Sequence, residues 1–467
     1  MSLFFAITVC SASSAAWNNE TVQNDSNSVS VGSGNSLVLD SNDNPNIAYT
    51  DDGYVNHAVK YAYKKGNKWY TETVDSNVGF SGGYTSIALN SHNVPSISYY
   101  DDNTQSLKYA YRSANSSTMA AIWTIETVGK CYGSSGNSLV LDSINTPHIA
   151  YYSNPSGSLT YATRVGTNLW NKETVDTLTT SDCKLALDSS GNPHIIYLNN
   201  PRTQFKHASK SGGIWHIESV NVPLLFCSDF SMDINSNGCL GISYADQEAL
   251  GIFKNDLKYA YKTSSGWNSV TVDKLGDINS HTSLVLDSIN NPHIVYSDST
   301  QVKYTRGNFN QATSGWTWAT SKIVNGAAEW KSLALNSKGL PSFSYYYPTN
   351  MDLKYAYYAV DKTAPKIIST YPKNKAKKVS RTKTIYIKFS EKIKAGVNWS
   401  KIVIKNKQGK NVKISKKWIS GNIIYIKTKY KRSSNLYYTV YIPKAAVKDY
   451  ACNNLAVGYT FRFKTGR

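Results

Sequence analysis

Ser36-Leu37-Val38-Leu39-Asp40, a Ser41–Asn44 turn closed by Pro45, Ile47-Ala48-Tyr49, Val59-Lys60-Tyr61-Ala62-Tyr63 and Trp69-Tyr70-Thr71-Glu72-Thr73-Val74 make up one unit of four short strands. The unit recurs seven times. Its first strand ends at Asp40, Asn90, Asp142, Asp188, Asp233, Asp287 and Asn336, at intervals of 50, 52, 46, 45, 54 and 49 residues. Four-stranded repeats of this length are the sequence signature of sheets arranged radially about an axis. The Trp strand follows six of the units, from Trp69, Trp123, Trp170, Trp215, Trp267 and, more loosely, Trp318. The seventh unit ends at Tyr358 without one, and the missing copy stands at the other end of the chain as Trp17-Asn18-Asn19-Glu20-Thr21-Val22.

This pattern resembles seven-bladed β-propellers such as the WD-repeat proteins. It predicts an all-β fold in which residues 17–360 form seven blades and the N-terminal strand becomes the outer strand of the last blade. The 35 Tyr and 11 Trp suit pleated, half-buried strands, and 467 residues leave room for a further domain. Residues 1–16 combine an apolar run with the small residues Ser11 to Ala16, as a secretory signal remnant does, although no basic residue precedes the run. No stretch reaches the roughly 18 apolar residues of a membrane span. The expected location is therefore secreted or cell surface.

Charge changes at Asp361. Residues 361–467 hold 27 Lys and Arg against Asp361, Glu391 and Asp449, a net of +24, whereas residues 1–360 hold 23 basic and 28 acidic residues, a net of −5. The repeat stops at the same place, which marks a domain boundary. Beyond it, Ile385 to Phe389, Ile423 to Ile426, Tyr437 to Tyr441 and Tyr459 to Phe463 alternate with period two, as β-sandwich strands do. Asp361-Lys362-Thr363-Ala364-Pro365, Phe389-Ser390-Glu391-Lys392-Ile393, Val447-Lys448-Asp449 and Phe463-Lys464-Thr465 resemble the bacterial Ig-like domain of surface-layer and adhesin proteins. Cys452 departs from that family's pattern, which has Gly in the same turn. The resemblance implies a stalk or wall-contact module. The charge adds an anionic cell-wall polymer as a partner, with nucleic acid not expected.

The turns after the first strands are nearly constant, Asp or Asn followed by Pro, and read as turn chemistry. Asp40, Asn42 and Asn44 alternate as calcium ligands would, but no bidentate Glu closes the run. No cofactor is expected. His148, His194 and His293 repeat one strand position and are read as strand residues. The opposite face carries the varying loops, where binding sites usually lie. Its candidates are Asp51, Asp52, Asp101, Asp102, Asp246 (with Glu248) and Asp298, interleaved with Phe80, Tyr84, Tyr132, Phe226 and Trp330. Carboxylates and aromatic faces around a funnel suit a glycan, and equally a basic surface protein. Cys131, Cys183 and Cys227 are placed in loops on that face, where a Cys183–Cys227 disulfide could form; Cys239 and Cys452 are left without an assigned partner. A glycan-cleaving enzyme is the alternative reading. Against it, the sialidase-type Ser-x-Asp-x-Gly-x-x-Trp turn is missing. Of Arg112, Arg164, Arg202 and Arg306, three fall near third-strand ends, away from the axis.

Overall fold

The computed structural model of the chain describes residues 16–24, 30–52, 57–76, 78–79, 84–114, 121–131, 136–177, 179–249, 252–277, 281–359, 363–449 and 453–467. The described residues are almost entirely strand and turn. They fall into two compact units, Asn18–Tyr357 and a second that includes Tyr358–Arg467.

In the first unit seven antiparallel four-stranded sheets follow one another in sequence. Their inner strands are Val31–Leu39, Ser86–Leu89, Ser138–Leu141, Thr179–Leu187, Cys227–Ile234, Ser283–Leu286 and Glu329–Leu335. Six sheets run in simple chain order. In the seventh, Ala16–Gln23 is hydrogen-bonded outside Asp352–Ala359, which is followed inward by Pro341–Tyr347 and Glu329–Leu335.

The core lies between sheets. The third residue of each second strand, Ile47, Ile97, Ile149, Ile195, Ile242, Ile294 or Phe343, is fully buried. Each second strand is covered on both faces, which is why it reads as apolar and small residues without polar alternation. In the first six sheets an outer-strand Trp packs edge-on against the previous sheet's third-strand ring, as Trp123 does on Tyr61 and Trp215 on Tyr161, whereas Trp17 packs on Tyr358 of its own sheet. Trp69 of the first sheet packs in this way on Tyr355 of the seventh.

The Glu of each Glu-Thr-Val motif latches onto the next sheet. Glu72 accepts from Arg112 (2.7 Å) and Trp123 Nε1 (3.1 Å), and Glu173 from Lys210 (2.6 Å) and Trp215 Nε1 (3.0 Å). Glu20, in the N-terminal strand, accepts from Lys64 (2.6 Å) and Trp69 Nε1 (2.9 Å) of the first sheet.

A second seam runs along the inner strands. The backbone N–H groups of Ile87, Leu139, Leu185, Leu284, Leu333 and Leu37 donate to Ser36, Ser86, Ser138, Ser231, Ser283 and Ser332 at 3.4, 2.9, 3.0, 3.1, 2.9 and 2.9 Å. The last of these bonds joins the seventh inner strand to the first. At this register position the fourth sheet carries Lys184 in place of serine.

The turns behave as turn chemistry predicts. Asp40 Oδ1 accepts the Asn42 and Asn44 N–H groups at 2.8 Å, and Asp142, Asp188 and Asp287 repeat the arrangement. The fifth repeat corrects the sequence register. There the turn acceptor is Asn235, bonded to Asn237 and Cys239 N–H at 3.0 Å, while Asp233 lies inside the strand. The Asp233 carboxylate accepts from Leu286 and Ile234 N–H, and its burial raises its pKa to about 6. His148, His194 and His293 sit on second strands with a ring nitrogen near the turn carboxylates of Asp142, Asp188 and Asp287.

The second unit is a β-sandwich. Ile367–Tyr371, Ile385–Phe389, Ile423–Thr428 and Ile414–Ser420 form one sheet, and Val403–Asn406, Tyr437–Ile442 and Tyr459–Lys464 another. Ile385, Ile387, Phe389, Ile424 and Ile426 meet Ile404, Val440, Ile442, Phe461 and Phe463 in a single core. The turn containing Cys452 lies outside the described residues, as do residues 1–15.

Candidate functional site

A cavity of about 190 Å³ is lined by residues from all seven inner strands or the residues that lead into them. Its floor is the serine seam, with Ser36, Ser86, Ser138, Ser231, Ser283 and Ser332 and the intruding Lys184. One residue earlier in the repeat stand Asn35, Thr85, Asn137, Thr282 and Lys331, and one earlier again Gly34, Tyr84, Asp229, His281 and Trp330. At this last position the repeats diverge, passing from no side chain at Gly34 and Gly136 to two aromatics, a carboxylate (Asp229, and Asp182 in the fourth repeat) and an imidazole.

The rim is braced. Trp330 meets Tyr84 edge-on at 4.7 Å and stacks on His281 at 4.5 Å. Its backbone is in the left-handed region, φ 51°, which is costly for a bulky residue and is held by Asn35 Nδ2 donating to the Trp330 carbonyl. Asn137 does the same for the Tyr84 carbonyl at 2.7 Å. Asp182, one register step before Cys183, pairs with Arg202 at 2.6 Å, and both lie within electrostatic reach of the Tyr84 hydroxyl. Arg202 is itself left-handed (φ 77°) and also donates to the Cys227 carbonyl at 2.9 Å.

The ionisable groups are shifted toward neutrality. Burial lowers Lys331 to about 7, partly opposed by Asp229 and Glu329, and its ammonium donates to Ser297 Oγ (2.8 Å) and the Ala328 carbonyl (2.7 Å). Burial lifts Asp229 to about 6 against the pull of Lys184 and the Thr282 N–H. Burial, reinforced by Lys331 and Lys184, drives His281 down to about 3, so its ring is neutral. Its Nδ1 is buried without a hydrogen-bond partner. Perturbed groups gathered in one cavity mark a candidate site.

Of the residues expected on this face, Tyr84 and Trp330 line the cavity and touch each other. The aspartates do not line it. Asp51 pairs with Lys60, and Asp52 accepts from Ser33 Oγ at 3.0 Å. Asp101 accepts from Thr104 Oγ1 at 2.6 Å and faces Lys108, and Asp102 accepts from Tyr100. Asp246 pairs with Lys258 at 2.5 Å and caps Leu225 N–H, and Asp298 binds Thr300 and Lys303. Asp51, Asp101, Asp246 and Asp298 pin the loop between second and third strands to the Lys of the third strand. Tyr132 and Phe80 lie outside the described residues, as does the Glu248 side chain.

Cys183 and Cys227 are free, buried thiols, so the Cys183–Cys227 disulfide is not formed. Cys183 lies within its strand facing the Gly136 carbonyl, and Cys227 opens its strand facing the Asp229 carbonyl. Arg112, Arg164 and Arg306 are paired with Glu72, Glu126 and Asp287, and Arg202 alone of the four stands beside the rim. Among the described residues no cluster of His, Cys, Asp and Glu is arranged to hold a metal ion.

Residues 361–465 match the bacterial Ig-like domain. Comparison with curated proteins finds no match. Three similar solved structures are an ulvan lyase from a polysaccharide lyase family, AofleA from Arthrobotrys oligospora (a triple arginine-to-alanine mutant) and the NanB sialidase from Streptococcus pneumoniae. Each is 10% identical to the chain, with TM-scores of 0.48, 0.46 and 0.41. They cover 71%, 67% and 73% of this chain and 95%, 91% and 70% of their own.

Proposed function

We propose that the protein is a secreted or cell-surface binding protein whose repeat unit takes a saccharide in the central cavity. In this reading the Ig-like unit serves as stalk and as contact to an anionic wall polymer. One observation carries it: a single register position that varies among the repeats places Tyr84, Asp229, His281 and Trp330 around one cavity. Aromatic rings beside fixed polar groups are what a sugar needs, since its ring has apolar faces and a hydroxyl edge. The cavity is close to the roughly 150 Å³ of an engineered cavity that takes one benzene, so it admits one ring and not a polymer segment. A glycan array probed with the full chain and with Trp330→Ala tests this. Spots bound by the parent and lost in the variant support the reading, and an identical pattern refutes it.

A second reading, a glycan-cleaving enzyme, is favoured by a separate observation. Asp229 and Lys331 titrate near neutrality beside a neutral His281 with a bare nitrogen, as acid–base pairs do. Incubation with acidic and neutral polysaccharides, followed for new reducing ends and for unsaturated products, decides between the two.

A further inference from the structure

Six of the seven inner strands place a serine at the same register position, and the seventh places Lys184 there. Each serine accepts a backbone N–H from the next sheet, so its own hydroxyl proton remains to be donated. Among the described residues only Ser138 of the six has a further side-chain hydrogen bond, to the Leu185 carbonyl at 3.4 Å. All six serines line the cavity floor. Lys184 adds a cation to that floor, and Lys331 stands one register step above it. Trp330 and Tyr84 each add an N–H or O–H. Facing these donors are the Asp229 carboxylate, which already accepts the Thr282 N–H at 2.7 Å, and His281 Nδ1. Among the lining residues two lysines stand against one carboxylate, and Lys331 already donates to Ser297 Oγ and the Ala328 carbonyl.

We propose that the cavity seats the anionic group of a sugar-sized ligand, a carboxylate or sulfate, between Lys184, Lys331 and the serine hydroxyls, with Trp330 and Tyr84 against its ring. This rests on the saccharide reading above and names the class of sugar. A cavity lined by hydroxyl groups with one half-buried lysine, Lys184, and one buried lysine, Lys331, is a poor site for a neutral sugar alone, because the charges lose hydration that a counter-charge restores.

The charged groups that face Lys331 are Asp229, Glu329 and Lys184, with the Asp182–Arg202 pair beyond Tyr84. Between pH 8 and pH 6 Lys331 gains its proton and Asp229 begins to lose its charge. Both changes favour a bound anion, so affinity rises as pH falls. His281 stays neutral across that range.

The test is calorimetric titration of the full chain with D-glucuronate, D-glucose and inorganic sulfate at pH 6 and pH 8, repeated on Lys184→Ser. That variant installs the residue that the other six strands already carry, so its melting temperature should hold or rise. Glucuronate should bind at least tenfold more tightly than glucose and at least threefold more weakly at pH 8. Lys184→Ser should reduce its affinity to that of glucose. Equal binding of glucose and glucuronate, or an unchanged preference in Lys184→Ser, overturns the anion seat and leaves the saccharide reading standing. Sulfate binding without either sugar supports the seat and overturns the saccharide reading. Silence from all three probes overturns both.

Discussion

The two units handle charge in opposite ways. In the repeat unit many charges are paired and half-buried, and several of those pairs join neighbouring sheets. Glu126 has no exposed side-chain surface and takes three hydrogen bonds from Arg164 at 2.7–3.2 Å. In the Ig-like unit 27 basic residues face three acidic ones, and Asp449 among those is a buried turn acceptor for Asn453. Its lysines lie on loops and open sheet faces, some over aromatic rings, as Lys383 is over Tyr371 and Lys416 over Trp418. Charge in the first unit therefore belongs to architecture and to one cavity, and charge in the second is a diffuse surface property.

The largest effect should come from the strand at the N-terminal end of the sequence. Deleting residues 17–22 removes the buried Val22 and the Glu20 latch, and leaves Asp352–Ala359 as an open edge. Aggregation or a fall in melting temperature of more than about 10 °C is expected. A monomer that melts unchanged would show that this strand does not close the array. Next comes Glu126→Ala, which strands a guanidinium that is itself partly exposed, and should cost about 3 kcal/mol in chemical denaturation, the low end for a broken buried pair. Lys405→Ala on the exposed face of the Ig-like unit should cost under about 0.5 kcal/mol. Equal costs at the two sites would erase the contrast.

Ligand effects follow. Trp330→Ala should weaken saccharide binding at least tenfold while barely moving the melting temperature. The smallest change concerns salt. Binding of the full chain to an acidic polysaccharide column should fall as salt rises, because the screening length contracts from about 10 Å at 0.1 M to about 3 Å at 1 M. Trp330→Ala and Lys184→Ser should elute where the parent does. Altered elution of those variants would tie the polymer contact to the cavity.

The fold was legible because repetition makes each strand testify seven times. The Trp-x-x-Glu-Thr-Val copy at Trp17 and the gap after Tyr358 together gave the position of the odd strand. The site was legible only in part. Tyr84 and Trp330 stood out as bulky residues in varying loops, whereas the loop aspartates misled because acidic residues at a strand end look available. For Asp51, Asp101, Asp246 and Asp298 the occupying partner is the Lys of the third strand, as in Asp246 with Lys258. Lys184, His281 and Lys331 were missed, although aligning Ser36, Ser86, Ser138, Ser231, Ser283 and Ser332 isolates Lys184 as the exception. The slip at Asp233 hid part of that register, since the inner strand there continues through Ile234 before the Asn235 turn. The shifts at Lys331 and Asp229 depend on burial in three dimensions, which no local pattern carries.

Eleven tryptophans allow both units to be watched at once. Trp330 reports on the cavity, while Trp399 and Trp418 report on the Ig-like unit. Titrating D-glucuronate into indole-¹⁵N-labelled full-length protein should move the Trp330 Nε1–H resonance, assigned through Trp330→Phe, and leave those of Trp399 and Trp418 in place. Movement confined to Trp399 or Trp418, with Trp330 still at saturating ligand, would contradict a binding site in the central cavity.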